Sequence, residues 1–220
     1  MPLNHIANLS EQIADHITEK IIRMEIRPGQ RIMETQIAGE LNVSRSPIRE
    51  ALRILERNRL VELIPRRGAR VTELSATFIV QLCDVLMALF RLMARQCVEN
   101  GTAEDLETID AAAKRSRDCV AQEDVYGYYT ALFDFAVATL KATHNPLLEH
   151  LVRELLPNVR RLIYASFSLQ KETLESDVAV VMTGNQYLQE RNAKMAEIEV
   201  LNYIENAKAF AIENNIFSTP

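Results

Sequence analysis

The chain is short of the residues from which disulfide frameworks, metal sites and catalytic centres are made. Its 220 residues include three cysteines and four histidines. Cys83, Cys97 and Cys119 are odd in number and fall on apolar helix faces. That reads as reduced core residues of a cytoplasmic protein, not as a disulfide framework. The histidines are His5, His16, His144 and His150, with none in the last 70 residues. No apolar run reaches the 18 residues of a membrane span, because Asp84 and Arg91 interrupt the most apolar helix. The first residues lack the basic-then-apolar pattern of a signal peptide. Phosphate loops, nucleophile elbows and paired carboxylates are all missing, so an enzyme is not expected. Glycine is scarce after residue 73, and no polar low-complexity tract appears.

What is present is concentrated in VSRSPIREALRILERNRLVELIPRRGARV, residues 43–71. Arg45, Arg49 and Arg53 stand four apart and share one helix face. Ile48, Ala51, Leu52 and Leu55 form the opposite stripe at i, i+3, i+4 and i+7, the spacing of a buried face. A helix lying in a DNA major groove needs one dry face and one arginine-rich face, since guanidinium forks fit guanine edges and phosphates. Ser44 is placed to cap this helix, and Pro47 sits in its first turn, where the missing N–H is harmless.

Two helices are expected before it. Ile13, Ile17 and Ile21 repeat between Leu9 and Met24, with Ser10 as N-cap, and Arg27-Pro28-Gly29 stops that helix. A short helix from Glu34 to Leu41 ends at Asn42, a residue that tolerates left-handed backbone. Helix, turn, helix is the DNA-reading layout. After it, Leu60–Ile64 and Ala69–Thr72 read as strands joined by Pro65-Arg66-Arg67-Gly68, a basic wing. Residues 1–73 hold 12 Lys and Arg against 10 Asp and Glu, a net of +2, while the remainder carries −7. That asymmetry suits a DNA-reading head on an acidic body.

These residues resemble the winged-helix domain of GntR-family transcriptional regulators. The family pattern runs from a Pro-Gly-x-Arg-Leu turn through Val-Ser-Arg-x-Pro-Val-Arg-Glu-Ala-Leu to an Arg-x-Gly wing. The resemblance implies that Ser44, Arg45, Ser46 and Arg49 touch bases and phosphates and that Gly68 sits at the wing tip. Arg53, Arg66 and Arg67 join them as candidate contacts. Two departures are Thr35, where some members carry a DNA-contacting Arg, and Arg59, where many carry Gly.

Residues 74–220 read as about six helices in an all-α bundle large enough for its own core. Expected landmarks are an end at Asn100-Gly101, a cap at Thr102 with Asp105, a helix from Asp124 to Ala142, and a start at Asn145-Pro146. Pro157 should kink or restart that last helix, and Thr183-Gly184-Asn185 should break the C-terminal pair, Gln170–Val181 and Gln189–Asn214. The body resembles the FCD domain of the FadR subfamily, on the stretches Gly-Thr-Ala-Glu-Asp-Leu and Ala142-Thr143-His144-Asn145-Pro146-Leu147-Leu148. Many such domains hold a divalent metal on an Asp, a His four residues on, and two later His. Here the first two positions fall on Leu132 and Ala136, and the later ones have no histidine. An Arg and a Glu of the family's first body helix fall on Leu86 and Phe90. No metal cofactor is therefore expected. His144 and His150 are read as a cap residue and a surface or packing histidine.

The chain thus reads as mainly α, a winged helix-turn-helix over 1–73 and an all-helical effector-binding and dimerisation domain over 74–220. The expected function is a cytoplasmic homodimer that binds double-stranded operator DNA, with no membrane partner. It acts as a repressor released by a small molecule. Leu86, Phe90, Leu132, Ala136, Arg160 and Tyr203 are the expected pocket. Arg160 would hold the carboxylate of a fatty acid or acyl derivative, or of a small organic acid. Arg161 is expected to face solvent or pair with an acid on a neighbouring helix. The alternative is a constitutive regulator whose body only dimerises.

Overall fold

The computed structural model describes residues 9–65, 67–167 and 174–216. They form two compact units. The first takes the chain up to Leu74 together with Glu154–Leu162; the second takes Ser75–Arg153 and Ile163–Ile216.

In the first unit, α1 (Leu9–Ile22), α2 (Glu34–Leu41) and α3 (Arg45–Arg57) pack with a three-stranded antiparallel sheet. The strands β1 (Arg31–Ile32), β2 (Val61–Ile64) and β3 (Gly68–Val71) lie in the order β1-β3-β2. The isoleucine repeat of α1 meets the stripe of α3 in one core, where Ile17, Ile21, Ile48, Ala51 and Leu55 have no solvent exposure. Ser10 lies inside α1, so it is not the cap. The helix also stops earlier than the Pro-Gly signal: Met24 takes φ 59 and the amides of Glu25 and Ile26 bond back to the Lys20 carbonyl. Pro28-Gly29 then makes a separate tight turn, Gln30 N–H to Arg27 O, with Gly29 at φ 73. β1 has two residues, too few for any alternation to show in sequence.

The ends of α2 and α3 use the same device as α1, an N–H five residues on closing over the last turn around a left-handed residue. Asn42 (φ 53) ends α2 with Val43 N–H on Ala38 O. Arg59 (φ 55) ends α3 with Leu60 N–H on Leu55 O. That geometry explains why glycine is common in the family where Arg59 stands here.

Residues 154–162 of α7 (Pro146–Phe167) belong to the first unit. Pro157 is carried inside this helix without ending it. Arg161 is fully buried and bonds to Thr72, contrary to the expectation that it faces solvent or pairs with an acid. Its Nη2 donates to the Thr72 carbonyl at 2.6 Å and its Nη1 to Thr72 Oγ1 at 3.3 Å. Burial lowers its pKa to about 10, which leaves it charged at neutral pH. Asn158 donates from Nδ2 to the Asn58 carbonyl at 2.7 Å.

The second unit is the helical bundle. α4 (Ala76–Asn100) packs on α9 (Ala193–Glu213) and α6 (Val125–Lys141); α5 (Ala103–Ala121) packs on α6 and on α8 (Leu174–Gln189). Caps hold the starts: Ser75 Oγ accepts from Phe78 N–H, and Thr102 and Asp105 form a reciprocal capping box. By length and composition alone α4 could cross a membrane. Here Leu82, Cys83, Leu86, Met93 and Cys97 of α4 are buried within the unit. Burial pushes the thiols of Cys83 and Cys97 up to about 11 and about 12, so both stay protonated.

The expected break at Thr183-Gly184-Asn185 does not occur, because α8 runs through it. The turn comes at Arg191 (φ 56), with Asn192 N–H on Tyr187 O, and Asn192 then caps α9 through Met195 N–H. Gly184 sits inside α8 with helical backbone, and an added Cβ would meet Glu199 Cγ at 3.8 Å, an ordinary contact, so the helix tolerates the glycine without depending on it. The expected start of this helix, at Gln170, lies outside the described residues.

Gly68 opens β3 at φ 90, and a Cβ there would run into the Ile32 carbonyl oxygen. A Gly68→Ala variant is therefore expected to lose at least about 2 kcal/mol of head stability, from backbone strain and the clash together. Chemical denaturation followed by circular dichroism checks this; an unchanged midpoint would contradict it.

Candidate nucleic-acid interface and effector cavity

α3 presents its arginines because its other side is dry. Arg45, Arg49 and Arg53 all lie exposed, on the face away from Ile48, Leu52 and Leu55. Ser44 sits at the N-cap position with extended backbone but makes no side-chain cap bond. Its hydroxyl and the first N–H groups of the helix are thus available to an anion. Ser46 is exposed beside it, as is Thr35 in the first turn of α2. Arg45 has no side-chain partner among the described residues.

The other two arginines are already engaged. Arg49 Nε donates to Glu34 Oε2 at 2.8 Å, and Arg53 Nη1 donates to Glu50 Oε1 at 2.6 Å. Both guanidiniums remain more than half exposed, 59% and 63%. Such pairs are weak in water and can be exchanged for phosphate or base contacts. Beside them a groove of about 320 Å³ runs between α3 and the wing, lined by Glu34, Arg49, Leu52, Arg53, Ile64 and Pro65 among others. Arg67 is exposed on the wing turn, its N–H on Ile64 O at 2.9 Å; Arg66 lies outside the described residues. Gly68 lines the groove, yet its close backbone contact is with β1. The acidic partners are what residue patterns did not reveal. Glu34 is 15 residues from Arg49 and meets it only through the fold.

In the second unit, a chamber of about 90 Å³ opens between α4, α6, α8 and α9. Phe90, Leu132, Ala136 and Tyr203 line it, together with Met93 and Phe135. Leu86 is buried on α4 but lies outside the lining. Arg160 is not there either. It belongs to the first unit, where its Nη1 lies 2.6 Å from Glu19 Oε1. Adjacent residues on a helix point about 100° apart. Arg160 and Arg161 therefore cannot share one environment, and it is Arg161 that is buried.

The residues do not fit a metal of the kind the FCD resemblance implies. Leu132 and Ala136 bring only hydrocarbon to the positions of an Asp and a His. Among the described residues, no three His, Cys, Asp or Glu side chains converge. His144 takes left-handed backbone (φ 49) in the turn before α7, and its Nε2 lies 2.8 Å from Asp105 Oδ2, tying that turn to the α5 cap.

A second cleft, of about 290 Å³, shares Val180 and Tyr203 with the chamber. It is lined by Ser166, Ser176, Asp177, Asn206 and Glu213 as well. Burial pushes the Asp177 carboxyl up to about 6. It also raises the Tyr203 hydroxyl, with the Asp177 charge adding to the effect.

Comparison with known proteins places these features. Residues 9–71 match the family model for bacterial regulatory proteins of the gntR family, and residues 81–197 match the FCD domain. The chain is 29% identical over 109 residues to YdhC, an HTH-type transcriptional regulator of Bacillus subtilis, a stretch covering 50% of this chain and 49% of that one. It is 23% identical over 165 residues to the transcriptional repressor RspR of Escherichia coli, covering 75% and 72%. With the gluconate operon repressor of Bacillus subtilis the identity is 24% over 186 residues, covering 83% and 75%. Among solved structures, Escherichia coli McbR/YncC superposes with a TM-score of 0.84 at 16% identity, over 96% of this chain and all of that one. A GntR regulator of Rhodococcus sp. RHA1 gives 0.73 at 24% identity, over 93% and 97%.

Asp177 supplies a test of the cleft's electrostatics. Its folded pKa of about 6 lies above the ordinary carboxylate range, so folding disfavours the charged form. The penalty is fully present above about pH 6 and vanishes below about pH 4. Asp177→Asn should therefore melt higher than the wild type at pH 7.5, with the gap closing as pH falls through that window. Thermal melts across pH 4–8 check it; a gap that stays constant or reverses would contradict the burial.

Proposed function

The chain belongs to the GntR family of bacterial regulatory proteins, in the group carrying an FCD domain, and is a DNA-binding transcriptional regulator, not an enzyme; from that premise we propose that it is a repressor released by a small metabolite held in the chamber of its helical domain. The observation that carries the reading is the exposed arginine face of α3, with Ser44 uncommitted at the helix start and the wing beside it. Arg45, Arg49 and Arg53 read the major groove, and Thr35, Ser44, Ser46 and the wing residues Arg66 and Arg67 hold phosphates. One such helix spans only a few base pairs. The protein therefore acts as a homodimer on an inverted repeat, in the cytoplasm where the DNA is.

The regulatory half rests on the chamber standing where the family's ligand residues would be, lined by Phe90, Leu132 and Ala136. No metal takes part in this reading. A ligand releases DNA only to the extent that it prefers the DNA-incompetent arrangement. A constitutive regulator that only dimerises is the second reading, favoured by the apolar residues at all the ligand positions.

Two experiments test this. Arg45→Ala should weaken binding to the operator by about 1–3 kcal/mol while affecting a scrambled duplex less. Fluorescence anisotropy with both duplexes measures it, and operator binding equal to wild type for both Arg45→Ala and Arg49→Ala would sink the DNA assignment. A metabolite screen by thermal shift should find a compound that stabilises the wild type and weakens its operator complex. The same compound should leave Ala136→Leu, with its chamber filled, unmoved. A screen in which nothing stabilises the protein selects the constitutive reading.

A further inference from the structure

The charges around the two adjoining cavities restrict what kind of molecule they can hold; this inference rests on the effector reading above. The inner chamber has Glu199 among its lining residues, and the outer cleft has Asp177 and Glu213. Among the described residues, no Lys, Arg or His lines either one. A carboxylate ligand placed in the outer cleft would share it with the Asp177 carboxylate and, among the described lining residues, would meet no cation. Arg160, the cation that the residue pattern offered for that task, is occupied by Glu19 in the other unit.

Size and polarity divide the space in two. The chamber of about 90 Å³ is walled mainly by Phe90, Met93, Leu132, Phe135 and Val181. That is well below the roughly 300–1,000 Å³ of a drug-sized site, so it takes a short hydrocarbon body and not a long acyl chain. The cleft of about 290 Å³ beyond Val180 and Tyr203 carries the polar groups, Asp177 and Asn206 among them. Asp177 has no side-chain partner among the described residues.

We propose that the effector is a small amphiphilic amine, with its alkyl or aryl end in the chamber and its ammonium in the outer cleft on Asp177. An ammonium offers three donors and no acceptor, which suits a carboxylate beside an amide and a phenol. Tyr203 lines both cavities, so an aromatic residue of the kind that attracts cations stands beside the cleft. Burial of the Asp177 carboxyl means that an arriving cation restores stabilisation that solvent no longer supplies.

The test uses the full-length protein at pH 7.5 and matched probes that differ only in charge: phenethylamine against 3-phenylpropanoate, and hexylamine against hexanoate. The amines should raise the melting temperature in a dose-dependent way and weaken the operator complex, and the acids should do neither. Asp177→Asn should weaken amine binding by about tenfold or more. Stabilisation by the acids and not the amines would overturn the charge assignment while leaving the effector reading intact. Equal amine binding by wild type and Asp177→Asn would overturn it as well. Silence from both series would do the same, and the metabolite screen then decides the effector reading separately.

Discussion

The exposed arginine face of the first unit depends on one helix having to be dry on one side. Ile48, Ala51, Leu52 and Leu55 are buried to within 1% exposure against α1 and the sheet, and no other rotation of α3 buries all four. At about 25 cal/mol per Å² of apolar surface, loss of such a stripe would cost several kcal/mol, a large share of a small domain's stability. The arginines therefore have no alternative to the outer face. The wing is fixed by a similar exclusion: β3 can lie against β1 only because residue 68 has no side chain.

The arginine face of α3 is not a bare cationic patch. Glu34 and Glu50 hold Arg49 and Arg53 in the free protein, and the unit's net charge is modest. In the proposed reading these acids weaken binding to any DNA, whereas an operator that offers well-placed acceptors can replace them. Specificity thereby gains relative to affinity. In the second unit, Phe90, Leu132 and Ala136 stand where the resemblance implies charged or metal-binding residues and line a small apolar chamber, and the adjoining cleft carries Asp177 and Glu213. The same substitutions that argue against a metal thus also argue against the anionic ligands that a metal would help to hold.

Much of this was legible in the residues. The α3 stripe, the Asn42 helix end, the Thr102–Asp105 cap and the Asn145-Pro146 start are local patterns, and local patterns are readable. What was not legible depended on chain-distant partners or on side chains in unusual roles. Two-residue β1 has no period. The end of α8 is a left-handed arginine with no glycine to announce it, while Gly184, which looked like a break, lies inside the helix. Arg160 and Arg161 are chemically identical and adjacent, so only the packing of α7 decides which is buried. The pairing of Arg49 with Glu34, and the company Asp177 keeps with Tyr203, likewise arise only after folding.

The central claim is that the α3 arginine face reads DNA by giving up its acidic partners. The most direct measurement is a double-mutant cycle on operator affinity with Glu34→Gln, Arg49→Ala and the double variant, repeated at two salt concentrations. The account expects Glu34→Gln alone to tighten binding several-fold, more so at low salt, and to have almost no effect once Arg49 is alanine. If Glu34→Gln weakens binding, or changes it equally with and without Arg49, that face does not exchange its partners for DNA.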